Sequence, residues 1–451
     1  MKLEAPNDAD RYPTLTPAGQ DMLRLMREHP HAPIFRNESG NRLLAHEVEQ
    51  VRTLEREALE SVIDWQPCQP PAWTGRFIAS CMERVPAYRR YGNQPERFED
   101  LPTINRGDLA RDIAQYVPDD VDVDRLINFR TSGTTGHPLL IASHPLVAAQ
   151  YLGYHKRALR RCGIELRHRR GQVGIVLIGM QSKCFTYISV TPTMDESGLA
   201  KVNLHPNDWR HPDDRARYLD TLAPEIIAGD PISFAELQQI GMTWQPRALL
   251  STSMALSPAL RRQLETVFGC PVLDLYSLNE AGPVGVSLDS SGKHVLLQER
   301  LYVEILDAAG QPLATGKRGE ITLTGGFNFC LPLIRYRTGD YASLEQVGPD
   351  LALTGLSGRP PVRYRTMSGE WINNVDITHA FRQLPLVQYA LHQDVAGDLR
   401  CIFQGPGVTA ESVSSTLETL FGTNQPLTVQ GPVEFDAKVI QYTSGLNGSE
   451  P

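Results

Sequence analysis

Residues 131–138 read TSGTTGHP, directly after the β-rich run LINFR. Gly133 and Gly136 permit backbone conformations that other residues resist, while Thr131, Ser132, Thr134 and Thr135 carry hydroxyl donors. Such a loop can wrap an anion in N–H and O–H groups, and phosphate is its natural guest. It is not a Walker loop, because Gly133 and Gly136 stand too close and no Gly-Lys-Ser/Thr follows. Downstream, DLYSLNEAG ends a predicted strand with Tyr276 and Glu280, and LIRYRTGD delivers Asp340 into a glycine-containing turn. In open α/β sheets, ligands bind at strand ends of this kind. The three stretches, in this order, point to one ligand site rather than to three unrelated turns.

Strands and helices must alternate to position these groups. From Leu126 onward, LINF, a helical run from Pro145, VGIVLI, PEIIAG and SFAELQQIG follow one another, the pattern of strands crossing through helices into a largely parallel sheet. Ser257 as cap, Pro258 at the first position and Gly269 as stop define one helix, after which CPVLDLYS returns as a strand. Beyond Tyr302, YVEIL, GEITLTG and LPLIRYRTG joined by turns predict an antiparallel, β-rich subdomain. The expected fold class is α/β: a large N-terminal domain of mixed sheets flanked by helices with that β-rich subdomain, plus a small α+β C-terminal lid. The expected divisions are an N-terminal helical extension at 1–75, the large domain at 76–358 and the lid at 359–451.

The chain's 451 residues carry 44 Lys and Arg against 52 Asp and Glu, a net charge of -8. That balance argues against nucleic acid as a partner. The run VGIVLIGM at 173–180 is far too short to cross a bilayer, and no secretion signal opens the sequence, so no membrane partner and a cytoplasmic location are expected. Seven cysteines without a CxxC pair suit reduced thiols. Homodimerisation is left open.

TSGTTGHP, YSLNEAG, RGEITLTG, RYRTGD and Gly358-Arg359 resemble, in order, the core motifs of the adenylate-forming superfamily of acyl-coenzyme A synthetases and adenylation domains. ERVPAYRRYG, FEDLPTINRGDLARD, ETVFGCPVLDLYSLNEAGPVG and FCLPLIRYRTGDY narrow the resemblance to phenylacetate-coenzyme A ligases and their relatives, over about residues 76–360. It implies ATP and Mg2+ as cofactors. Loop 131–136 would hold phosphates, Glu280 the metal, Tyr276 the adenine, and Asp340 and Arg359 the ribose. Lys438, in the PVEFDAK stretch, would supply the cation at the transferring phosphoryl, with Ala437 standing where the superfamily has glycine.

This chain also departs from the family pattern. His137 stands where a lysine is common, and can still face phosphate; Asn279 replaces a threonine and keeps a polar side chain. Cys270, His294 and Cys330 remain of the ligands with which relatives hold a structural zinc, too few for a four-ligand site. Pro360-Pro361 follows Arg359 where relatives have a hinge residue. Phe185, Tyr187, Ser251 and Met254 fall where relatives line the acyl pocket and suggest an aromatic acid. The expected activity is acyl-adenylate formation with release of pyrophosphate, then transfer to coenzyme A. An amine or nitrite as second acceptor, as in an amide ligase or an aryl diazotase, and a non-catalytic nucleotide-binding relative are the alternatives.

Overall fold

The computed structural model describes residues 7–92, 94–130, 139–181, 183–358, 362–435 and 439–446. Its centre is a run of parallel strands, Ser197–Asn203, Val173–Gly179, Ile226–Gly229, Ala248–Ser251 and Val272–Leu278, side by side in that order. Successive residues of these strands enter different cores. Ile227, Leu249 and Val272 pack with Phe234, Leu260 and Leu264 on one face, while Ala228, Leu250 and Leu273 pack with Tyr154 and Ala158 on the other. A sheet buried on both faces needs such continuous apolar runs, which is why VGIVLI and PEIIAG read as they do.

Helices Pro145–Arg160, Pro231–Gln239 and Pro258–Phe268 supply much of the flanking layers. The last begins and ends where its sequence signals put it: the Ser257 hydroxyl accepts from the Leu260 N–H at 3.2 Å, and Gly269 takes φ 61°. The β-rich stretch forms strands Leu301–Leu306, Arg318–Gly325, Leu333–Val347 and Asp350–Gly358, antiparallel as expected. It is not detached from the parallel strands. His294–Leu296 pairs with Asp350–Gly358 and also with Gly282–Ser287, so one hydrogen-bonded sheet runs through both parts.

Another difference concerns the strand before the glycine loop. Ile127–Arg130 does not join the parallel sheet; it pairs antiparallel with Leu140–Ser143. In the N-terminal region, helix Ala72–Arg84 runs across residue 75, and Tyr12, Met22 and Met26 share a core with the central strands. The C-terminal part has its own sheet, with Leu427–Gln430, Leu399–Gln404, Gln388–Gln393 and Tyr442–Ser444 in order, and its own core around Tyr364, Phe403 and Leu417.

Candidate functional site

The parallel strands Val173–Gly179, Ile226–Gly229, Ala248–Ser251 and Val272–Leu278 all finish at the same edge, and the chain turns there through Asn279, Glu280 and Ala281 before returning as Gly282–Ser287. The turn is held by Gln298, whose Nε2 donates to the Ala281 and Pro283 carbonyls at 2.8 Å each. Gly282 has φ 74°, and a Cβ there would sit 2.4 Å from the Phe327 ring, so no larger residue fits. Glu280 is thereby fixed with only 5% of its surface exposed, while Asn279 is exposed.

Among the described residues, two groups meet the Glu280 carboxylate. The Tyr336 hydroxyl donates to Oε1 at 3.1 Å, and the Arg106 guanidinium lies 3.7 Å from the same oxygen. Burial pushes the Tyr336 hydroxyl well above its ordinary pKa, with the Glu280 charge adding to the effect, so the tyrosine remains a donor. Oε2 accepts no hydrogen bond among the described residues. A hard, anionic oxygen with an open coordination position is the donor a magnesium ion takes when it binds through a single carboxylate and phosphates, so the site fits that ion.

Asp340 is set by the geometry of its turn. Glu320 accepts from Arg337 Nε at 2.7 Å and from the Gly339 N–H at 3.0 Å, while Thr338 Oγ1 donates to the Ile321 carbonyl at 2.9 Å and accepts from the Asp340 N–H at 3.1 Å. The Asp340 carboxylate then accepts from the Tyr276 hydroxyl at 2.9 Å. Burial raises the pKa of that hydroxyl, and the Asp340 charge raises it further. Tyr276 and Glu280, singled out from one motif, and Asp340, from another, thus converge.

The remaining expectations divide. Thr131, Ser132, Gly133, Thr134, Thr135, Gly136, His137, Arg359 and Lys438 lie outside the described residues, as do Pro360 and Pro361. Ser251 ends its strand fully buried, with no hydrogen-bond partner for its hydroxyl among the described residues, and the half-buried Met254 follows it. Phe185 and Tyr187 do not join them on one wall. Tyr187–Thr191 is the edge strand, separated from Ala248–Ser251 by three intervening strands, about 19 Å over four steps of ~4.8 Å. Their rings approach each other at 5.6 Å, and Phe185 is 52% exposed. Cys270 packs in the core beneath Pro258–Phe268, Cys330 is buried, and His294 Nε2 lies 3.4 Å from Asp274.

Sequence reasoning passed over Arg106 and Tyr336. Strand Ile104–Asn105 pairs in parallel with Leu333–Val347, Ile104 opposite Tyr336, and this brings Arg106 beside Glu280. The local signal was present in the capping box Asn105–Asp108, which marks a helix start at Arg106.

No protein-family model matches the chain. In sequence it is similar to the phenylacetate-coenzyme A ligase of Escherichia coli, at 24% identity over 295 residues, 60% of this chain and 65% of that protein. It is also similar to the phenylacetate-coenzyme A ligase of Thermus thermophilus, at 27% identity over 299 residues, 60% of this chain and 63% of that protein. The chain thus spans a little less than two thirds of the length of these curated relatives. In fold it matches a 2-hydroxyisobutyryl-CoA ligase in its postadenylation state in complex with 2-HIB-AMP, with a TM-score of 0.63, 17% identity, and coverage of 85% of this chain and 95% of that one.

Proposed function

We propose that this chain, a sequence relative of phenylacetate-coenzyme A ligases with the fold of adenylate-forming ligases, is an ATP-dependent, AMP-forming ligase acting on an aromatic carboxylic acid. The observation that carries the reading is the convergence of Glu280 with the Tyr276–Asp340 pair at the carboxyl edge of the parallel strands. In the first half-reaction a carboxylate oxygen of the acid attacks the α-phosphorus of ATP; the new P–O bond forms as the bond to the β-phosphate oxygen breaks, and pyrophosphate leaves. In the second, the coenzyme A sulfur attacks the acyl carbonyl and AMP leaves.

The residues work chiefly by alignment and electrostatics. Asp340 takes hydrogen bonds from the ribose, Tyr276 lies against the adenine, and Asn279 offers a polar contact beside them. Glu280 holds Mg2+, which supplies positive charge against the phosphate oxygens. Loop 131–136 with His137 cradles the polyphosphate, Arg359 approaches the ribose and Lys438 the transferring phosphoryl. Ser251, whose buried hydroxyl has an unused valence, and Met254 line the acid side. Phe185 and Tyr187 stand outside that wall.

A second reading draws support from Pro360-Pro361. Proline fixes φ and restricts the residue before it, whereas moving a lid between half-reactions needs residues that absorb large backbone changes. An adenylate handed to an amine, or nitrite adenylation in an aryl diazotase, does not require that hinge. The test is pyrophosphate release across a panel of aryl acids, with and without coenzyme A, amines and nitrite. Acid-dependent release with thioester supports the first reading. Acid-dependent release with amide and no thioester, or release with nitrite alone, supports the second, and no release under any condition overturns both.

A further inference from the structure

Helix Pro145–Arg160 carries two polar rings that the proposed mechanism does not use, Tyr151 and His155. One side of this helix is covered by helix Ala45–Glu60: Lys156 pairs with Glu55, and Arg157 Nη1 donates to the Ala58 carbonyl. The other side lies on the parallel strands, where Tyr154, Ala158 and Leu159 share a core with Leu250 and Leu275. Those contacts bury Tyr154, Ala158 and Leu159, yet Tyr151 and His155, which helical spacing puts on the same sheet-facing side, keep part of their surface open. With strands on one side and a helix on the other, that surface borders a crevice between the helix and the carboxyl ends of the strands. Tyr151 fixes its position: the hydroxyl donates to the carbonyl of Asn279, the residue before Glu280, at 3.4 Å, and the ring meets Phe327 edge-on at 5.3 Å.

We infer that Tyr151 and His155 form one wall of the acid's subsite, and that His155 reads a neutral hydrogen-bonding substituent, an amino or hydroxyl group, on the aromatic ring. The inference rests on the function proposed above and names the substrate class of that site. No hydrogen bond or ion pair reaches the His155 imidazole among the described residues. Burial pushes its pKa down to about 4, so at neutral pH the ring is uncharged and presents one N–H donor and one nitrogen acceptor. An unmatched polar group in apolar surroundings carries a cost that a partner relieves. A charged substituent would lose its hydration there without meeting a counter-charge, whereas a neutral one would not. Spacing sets where the group sits. His155 is one helical turn from Tyr151, about 6 Å along the axis at ~1.5 Å per residue, the span from a carboxylate to a meta or para substituent of a single benzene ring. With the carboxylate at the Asn279 end, beside the nucleotide, the aromatic ring lies along the helix and its substituent reaches the imidazole.

The test uses the full chain and benzoates carrying an amino, hydroxyl or methyl group at the meta or para position, the methyl acids matching the others in size. Turnover is read as pyrophosphate release, and binding by calorimetry in the presence of α,β-methylene-ATP. Wild type is expected to favour the best amino or hydroxyl acid over its methyl counterpart about ten- to thirtyfold in kcat/KM. His155→Leu should abolish that preference by weakening the polar acid and not the methyl one; comparing two acids within one variant cancels any loss of folded protein. His155→Gln, which keeps a donor and an acceptor, should retain part of it. The absence of any preference in wild type, or an unchanged preference in His155→Leu, overturns the proposal. Should His155→Leu not fold, His155→Phe, which keeps a ring and loses both polar atoms, is read in the same way. Pyrophosphate release with no acid, while the binding preference is present in wild type and lost in His155→Leu, would overturn the ligase reading and leave the subsite in place. Binding of no acid at all would overturn both.

Discussion

Glu225 and Glu280 are the same residue, almost equally buried, at opposite edges of the same parallel strands. At the amino edge Glu225 is saturated: the N–H groups of Arg167 and His168 donate to it at 2.8 Å and Arg247 Nη1 at 2.6 Å. At the carboxyl edge, among the described residues, Glu280 has one neutral donor, a guanidinium 3.7 Å from the same oxygen and a second oxygen that accepts no hydrogen bond, and the Ser251 hydroxyl at the end of its own strand is also unmatched. Burial alone therefore does not mark a functional carboxylate; unused valence does. Saturated polar groups hold the sheet together, while unsaturated ones carry a cost that a ligand can relieve.

Substituting either glutamate tests the contrast most directly. Glu280→Gln is expected to lower adenylation about a thousandfold, or ~4 kcal/mol in the barrier, with affinity for an ATP analogue changed far less. Acid-dependent pyrophosphate exchange at the wild-type rate would remove Glu280 from the chemistry. Glu225→Gln should do the reverse, losing about 3 kcal/mol of stability in urea unfolding while the folded fraction keeps its turnover. Burial by itself would push the Glu225 carboxyl up, but the His168 N–H, the Arg247 guanidinium and the Arg167 N–H outweigh it and hold it below its ordinary 4.5. A depressed carboxyl contributes stability above the unfolded value, lost as pH falls through the folded one. Wild type should thus lose stability below about pH 4.5, and Glu225→Gln should lose correspondingly less; parallel acid curves for the two proteins would contradict the saturated wiring.

Smaller effects sharpen the carboxyl edge. Asp340→Ala removes charge-assisted acceptors and is expected to weaken binding of an ATP analogue about tenfold, measured by calorimetry. Tyr276→Phe removes only the 2.9 Å hydrogen bond that orients Asp340, and a two- to fivefold rise in KM for ATP is expected. A larger loss in Tyr276→Phe than in Asp340→Ala would mean that the hydroxyl serves the ligand directly.

Much of this edge was legible in the sequence because chemistry and turn geometry there are local. The Glu320 clamp on residues 337–339 and the turn around Glu280 each lie within a short motif or one hairpin. The parallel strands were legible because burial on both faces demands unbroken apolar runs. What the sequence hid is set by strand order. Tyr187 and Ser251 read as neighbours of one pocket, yet the strands between them enter the sheet out of chain order. Likewise, the β-rich stretch reads as detached, because the short strand His294–Leu296 that ties it to the parallel strands has only three residues.

The pairing of Ile104 with Tyr336 also sets a schedule. Closing so long a loop costs chain entropy that only the finished sheet repays. Ribosomal synthesis at roughly 5–20 residues per second puts on the order of tens of seconds between the emergence of the two partners. Throughout that interval the segment carrying Arg106 has no strand to join, and the apolar side chains that later cover it, Leu101 and Ile104 among them, stay open to solvent. Glu280 itself emerges before the strand bearing Tyr336, so the carboxylate, its tyrosine and its arginine come together only as the last strands of the sheet are added.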